Sequence, residues 1–492
     1  MGGWYDGAVR DDQLQQLLRA RNPWWRSAQL GTDPLGWASS DPVLSAAMST
    51  SVRYDADPLP DLHPGGLWVL WGPRRVGKSV ALRRALAHLL DPKAAGWTLD
   101  GRSVVALSCD GLSAADLRRV LTLGRQARGE IDGPRCWLLD EVTAIPGWEA
   151  ILKEARDQTS LATDAVVLSG SSASSFAAAR TMLGAGRAGD VADPFRVLLP
   201  MSFRDFVAQI GLAIPSVPVL TPDALQGRAA KDAVLACGAF VDDLDLAWQR
   251  YLSVGGFPRA VGDALQTGDV GAAFVSDLLA WLIGDVEPGG AAESVAALLA
   301  AIERRSAAPL DVSDLARSLD STRDRVATRV QRLLASFAAI ECRQVDDRGA
   351  ARSGTRPKLY PSDPLLGRLP SLHDPRFAAP DVTRATEAAL AVHLAVAIDR
   401  LHPDRLIEQA AIGHLRTTTG NEIDLAPVPI AVGGMAVTSV AIEAKWVSNG
   451  WKPEARTLVG RLGSGVVATK SITDTNGPVW AVPAPVVALL LR

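Results

Sequence analysis

Apolar residues in the first two hundred positions gather into short unbroken runs, and that pattern predicts buried parallel strands. The runs are LWVLW (67–71), CWLLDE (136–141) and AVVLSGSS (165–172). A strand covered on both faces reads as a continuous apolar stretch, whereas a half-exposed strand alternates. After LWVLW and a glycine-bounded turn comes VALRRALAHLL, whose Val80, Leu82 and Leu86 fall at helical spacing. Residues 206 to about 290 are helical in pattern, interrupted by PSVPVLTPDAL, with Gly255 and Gly256 at a helix end or hinge. VSDLARSLDSTRDRVATRVQRLLASFAAIECRQV then predicts a short helix, a turn, a longer helix and a strand, and KLYPSDP supplies a second strand. That succession is a winged-helix outline.

Beyond 380 the pattern changes again. RATEAALAVHLAVAIDRL predicts a helix, and LIEQAAIGHLRT contains a strand. In GNEIDLAPV, alternation puts Ile423 and Leu425 on one face and Glu422 and Asp424 on the other. The same alternation in AIEAKW pairs Glu443 with Lys445, opposite Ile442, Ala444 and Trp446. The nineteen residues from Asp424 to Glu443 suffice for a hairpin between adjacent strands.

The turn after the first run carries the sharpest chemistry. Gly72-Pro73-Arg74-Arg75-Val76-Gly77-Lys78-Ser79 fits the P-loop pattern GxxxxGK[ST], between the strand and the helix that the pattern needs. Glycines let the backbone N–H groups, through Val80, curl around phosphates at a helix N-terminus. Lys78 would hold the β- and γ-phosphates of ATP, and the Ser79 hydroxyl would coordinate Mg²⁺. Asp140, ending CWLLDE, fits the Walker B carboxylate that holds Mg²⁺, and Glu141 stands where AAA-type ATPases keep the base orienting the attacking water. Ser169 or Ser171, leaving the next strand, would sense the γ-phosphate; the alternative is a plain strand-end turn.

The run LLDEVTAIPGWEAILKEARD, then LSGSSASSF, then GAGRAGDVADPFRVLLPMSFRDF, and further on YLSVGGFPRAV, resembles a widespread AAA-type ATP-binding family of bacteria and archaea. RNPWWRSAQL near the start resembles the opening of some members, and Val142-Thr143 departs from the family's usual pair. The resemblance implies a P-loop core, a helical lid, a winged helix and a C-terminal domain similar to restriction endonucleases. It also marks Arg187, in GAGRAG, as an arginine acting in cis or from a neighbouring subunit, against the alternative of a loop salt bridge. Asp424, Glu443 and Lys445 resemble the D-x(n)-ExK set of such nucleases, with Glu387 matching a further helical glutamate. In those nucleases the carboxylates bind Mg²⁺ and the lysine stabilises or activates the nucleophile, chemistry that suits a hard cation and a phosphodiester. The rival to a metal site is a surface ion pair on an edge strand. Trp24 and Trp25 are read as packing anchors rather than base-stacking platforms.

Composition narrows the partners. The chain of 492 residues is 48% hydrophobic and 21% charged, with a net charge of −3, so there is no basic field over the whole molecule. Any nucleic-acid contact must come from local patches; residues 301–360 carry a net +4, and Arg323, Arg325, Arg329 and Arg332 are spaced so that several of them would share a helix face. That face either meets DNA phosphates or is a solvated or interdomain surface. Four scattered cysteines and six histidines suggest neither a disulfide framework nor a zinc site. MGGWYDGAVRDD lacks a secretory pattern and no apolar run reaches membrane-spanning length, so a cytoplasmic protein without a membrane partner is expected.

The expected architecture is therefore α/β and multidomain. It comprises an N-terminal arm (1–59), a P-loop AAA-type core (60–205), a helical lid (206–292), a winged helix (293–372) and a nuclease-like domain (380–492). The expected function is a Mg²⁺-dependent ATPase acting on nucleic acid, DNA foremost, and coupled to the C-terminal domain. The alternative is a nucleotide-gated nucleic-acid- or protein-binding regulator that does not cleave, and either reading allows a homo-oligomer.

Overall fold

The computed structural model describes residues 10–52, 54, 56–127, 132–184, 186–416 and 421–492. The first nine residues of MGGWYDGAVRDD, Ala185 of GAGRAG and Thr417 of LIEQAAIGHLRT lie outside the described residues. The chain divides into two compact units: residues 1–50, 55–73 and 77–198 form the first, and 51–54, 74–76 and 199–492 the second. Among the described residues no helix is long and apolar enough to cross a membrane.

The first unit is built on five parallel strands: β1 (Leu67–Trp71), β2 (Val104–Ser108), β3 (Cys136–Asp140), β4 (Ala165–Gly170) and β5 (Phe195–Val197). Their order across the sheet is β2-β3-β4-β1-β5. Every residue of β1 and β4 is buried, as unbroken apolar runs require. β2 is an edge strand, and its backbone would be open to pairing. Asn22 covers it like a single strand residue: its Nδ2 donates to Ala106 O at 3.0 Å, and Ala106 N donates back to its Oδ1 at 2.7 Å. Both tryptophans of NPWW donate through Nε1 to Val104 O, at 3.0 and 2.7 Å. The N-terminal arm is thus part of the first unit, and its aromatic pair is packed rather than presented.

The second unit opens with helices, among them Val241–Val254, Pro258–Thr267, Ala272–Val286 and Ala292–Glu303. Gly255 ends the first of these at φ 74°, and a side chain on Gly256 would lie 2.1 Å from Met201 O. The glycine pair is therefore a helix end and a tight backbone crossing. Helices Val312–Ser318 and Arg323–Ala335 lead into β6 (Ala339–Gln344) and β7 (Lys358–Pro361), and the long helix Val382–Leu401 precedes β8 (Ile412–Arg416) and β9 (Glu422–Ile423). These four strands form one sheet, β7-β6-β8-β9, in which β6 pairs antiparallel with β7 and parallel with β8. The expected boundary near 372–380 thus crosses a continuous sheet. β10 (Pro429–Val432) and β11 (Met435–Thr438) make the hairpin between Asp424 and Glu443. β12 (Ile442–Ala444), β13 (Gly465–Thr469) and β14 (Val479–Pro483) form a second, parallel sheet. An antiparallel bridge from Leu425 to Ile442 joins the two segments that carry the acidic residues.

The arginine row on Arg323–Ala335 is not uniform: Arg329 is buried, while Arg323, Arg325 and Arg332 are exposed. Arg329, 4% exposed, lies 2.8 Å from Glu287 Oε2 and donates to Ser294 O at 2.8 Å. Arg325 lies 2.6 Å from Glu287 Oε1, and Arg332 donates to Val286 O at 3.3 Å. Helical spacing does place these three together, with Arg329 turned into the protein and Arg325 and Arg332 touching it from an exposed rim, while Arg323 is exposed beside Asp324.

Candidate functional sites: the phosphate loop and the acidic cluster

The first site is made by the ends of β1, β3 and β4. Gly72 has φ 146°, and a side chain there would lie 2.0 Å from Leu198 O, so both conformation and space demand glycine. Gly77, at φ 104°, has open space around it and caps the helix Lys78–Leu90 by conformation alone. Lys78 is 4% exposed, and its ammonium donates to Gly72 O at 2.8 Å and Pro73 O at 2.9 Å. Ser79 and Val80 follow in the first helical turn, half-buried. Arg74 and Arg75 group with the second unit, 3.3 Å from Asp285 and 3.6 Å from Asp277, and Val76 is buried there.

β4 lies between β1 and β3, which puts Ser169 beside the acidic pair. Ser169 Oγ donates to Asp140 Oδ1 and accepts from Glu141 N at 3.1 Å. Glu141 itself sits at φ 56°, a left-handed conformation uncommon for a residue with a side chain and frequent at functional sites. A hydroxyl in the first turn of a helix and a carboxylate at a strand end are the hard oxygen donors a Mg²⁺ takes, so Ser79 and Asp140 fit that ion. Ser171 is buried just past β4, while Ser169 makes the bonds to the acidic pair. The departing Thr143 packs on the backbone of Gly170, where a side chain would lie 1.9 Å from its Oγ1. Arg187 is held by Asp157, at 2.7 and 3.1 Å, the arrangement of a loop salt bridge.

The second site lies within the second unit. Asp424 N donates to Glu443 Oε2 at 3.2 Å, and Ala444 N donates to Asp424 Oδ2 at 3.1 Å. Lys445 Nζ lies 3.1 Å from Glu443 Oε1, as alternation predicts. β12 ends at Ala444, so Trp446 falls beyond the strand and is half-buried, unlike Ile442 and Ala444. Glu387, on Val382–Leu401, is buried beside them.

Sequence reasoning missed the cation at the centre. Lys358, the first residue of β7, has no exposed surface. Its Nζ lies 2.9 Å from Glu387 Oε1, 2.5 Å from Glu422 Oε1 and 3.2 Å from Asp424 Oδ1, one carboxylate for each ammonium proton. Tyr360, two residues on and on the same face, donates to Glu387 Oε1 at 2.6 Å. The signal available was a charged residue in the apolar strand KLYP, in a chain with eight lysines against 43 arginines.

Four carboxylates thus face two ammoniums. Burial, and then Asp424, push Glu387 up to about 7 and Glu443 up to about 8. Burial alone would lower Lys358, but Glu387, Asp424 and Glu422 overcome it and hold the lysine above its ordinary value. Lys445 is raised in the same way, by Asp424 and Glu443 against burial. The set expected to bind Mg²⁺ does not fit that ion as it stands. Among the described residues no three His, Cys, Asp or Glu side chains are placed to hold a metal, and Lys358 supplies the positive charge.

Residues 65–207 match the family model of an AAA domain, and residues 245–370 match a model of a domain of unknown function. With the parallel sheet and its glycine loop, this defines the first unit's centre as an AAA-type, ATPase-like core. Among solved structures, the Walker-type ATPase Paby2304 of Pyrococcus abyssi is 14% identical with a TM-score of 0.36, over 68% of this chain and 95% of that one. The Aeropyrum pernix ORC1 protein, solved in complex with DNA, is 16% identical with a TM-score of 0.29, over 73% and 92%. The ORC2 protein of the same organism, in its ADP form, is 11% identical with a TM-score of 0.31, over 74% and 95%. No curated protein matches.

Proposed function

We propose that this protein is a Mg²⁺-dependent ATPase that acts on nucleic acid. The observation that carries the ATPase part is that the parallel order β3-β4-β1 brings the Lys78 loop after β1 and the Asp140–Glu141 pair ending β3 to the same end of the sheet, the latter two bound to Ser169 of the intervening β4. Lys78 and the loop N–H groups bind and orient the phosphates, and Glu141 takes the proton of an attacking water. Ser79 and Asp140 would hold Mg²⁺, which would supply charge neutralisation on the phosphates. Residues 206–292 serve as a lid, and the winged-helix-like segment 293–372 shares its sheet with the domain similar to restriction endonucleases that follows it. Arg187 and Ser171 are assigned no step.

What suggests nucleic acid as the partner is the resemblance of Asp424, Glu443 and Lys445 to the D-x(n)-ExK set of nucleases. Lys358 favours a domain that grips without cutting, since a metal-dependent phosphodiesterase needs its carboxylates for the ion. A panel of labelled DNA and RNA, incubated with ATP and Mg²⁺ or Mn²⁺, tests both points. The expected result is salt-sensitive binding that changes with nucleotide and gives no shorter products. Cleavage that disappears in Lys445→Ala would restore the nuclease reading. Absence of binding to every nucleic acid would remove the nucleic-acid part and leave the ATPase.

A further inference from the structure

We propose that the ammonium of Lys358 is the resident counter-ion of the acidic cluster and excludes a divalent cation from it. The proposal deepens the non-cleaving reading above but does not need nucleic acid to be the partner.

Three observations carry it. Lys358 is delivered by β7, an edge strand of the sheet whose opposite edge, β9, begins with Glu422. Its stem is wholly buried, so the ammonium has no route to water while β7 keeps its place. Both oxygens of Asp424 and of Glu443 are also already held. Asp424 Oδ1 faces Lys358 and its Oδ2 accepts from Ala444 N, while Glu443 Oε1 faces Lys445 and its Oε2 accepts from Asp424 N. The carboxylates line a cavity of about 450 Å³ together with Thr383, Arg384 and Asn421, so small ions can reach them from that side. Closure from beneath, rather than lack of access, keeps the site from being a metal centre. An ion bridging Glu387 and Asp424 would compete with the ammonium for the same two oxygens, and like charges so close repel.

Mn²⁺ titration of the nucleotide-free full chain, read by calorimetry and by the loss of the free-ion paramagnetic signal, tests the proposal. Wild type and Asp424→Asn are expected to give the same isotherm, with no site at the cluster. Lys358→Met, checked for folding by circular dichroism, is expected to gain one Mn²⁺ site at least about tenfold tighter than anything in wild type. Adding Asp424→Asn to that variant should abolish the new site. A wild-type Mn²⁺ site that Asp424→Asn removes overturns the proposal, as does a folded Lys358→Met that gains none. Should Lys358→Met not fold, the comparison of wild type with Asp424→Asn decides alone: identical isotherms support the proposal and a lost site contradicts it. Neither outcome depends on nucleic-acid binding, so the two readings fail separately.

Discussion

Lys358 and Glu387 meet at 2.9 Å with almost no exposed surface on either side chain, and they tie β7 to the helix Val382–Leu401. Breaking a buried ion pair from one side leaves the other charge without compensation and costs about 3–5 kcal/mol. Lys358→Met should therefore lower stability by about that amount in urea unfolding. Glu387→Gln, which relieves part of the acidic crowding, should cost less. The double variant should be more stable than the sum of the two losses implies, with a coupling of about 0.5–3 kcal/mol. Additive losses would mean that the contact contributes nothing specific.

His393 gives the second unit a dependence on acid. Its Nε2 accepts from Phe203 N at 3.0 Å, and its Nδ1 lies 2.7 Å from Ala389 O, so the ring is held neutral with Nδ1 as the donor. Burial pushes its pKa down to about 4, with Arg492 and Arg400 also lowering it and Asp205 opposing. A folded pKa below the unfolded value means that this stability is present above about 6.5 and lost as pH falls towards 4. Thermal melting between pH 7 and 4.5 should show a downward trend that is shallower in His393→Asn. An unchanged trend in that variant would assign the acid sensitivity to other groups.

The buried Arg329 and the exposed Arg323 separate stability from binding. Arg329→Met leaves the buried Glu287 with one partner fewer and should cost about 3–5 kcal/mol, whereas Arg323→Ala should stay within about 0.5 kcal/mol of wild type. If the unit binds nucleic acid, the salt dependence of binding should be unchanged in Arg329→Met, because that guanidinium neutralises Glu287 and no phosphate. A shallower salt slope in Arg329→Met would place it on the nucleic acid instead.

The phosphate loop was legible because its signal is local: strand, glycines, lysine and helix follow one another within two dozen residues. The adjacency of Asp424 and Glu443 was legible too, since alternation sets their faces and the intervening hairpin closes a short loop. Lys358 was not. It meets Asp424 from 66 positions away, and no periodicity says which strand will share a sheet with β8 and β9. The arginine row shows the complementary limit. Spacing tells which residues share a face, but not that Glu287, just past the end of another helix, pairs with Arg325 and with the buried Arg329. Ser169 lies between, a polar residue in an apolar run whose partners follow from the place of β4 beside β3.

The central claim, an ATPase whose chemistry lies with Lys78, Asp140 and Glu141, is tested most directly by phosphate release measured beside nucleotide binding. Wild type should bind Mg·ATP and release phosphate. Lys78→Ala should lose binding, and Glu141→Gln should bind as wild type does while hydrolysing about 10²–10⁴-fold more slowly. Wild-type rates in both variants would contradict the account.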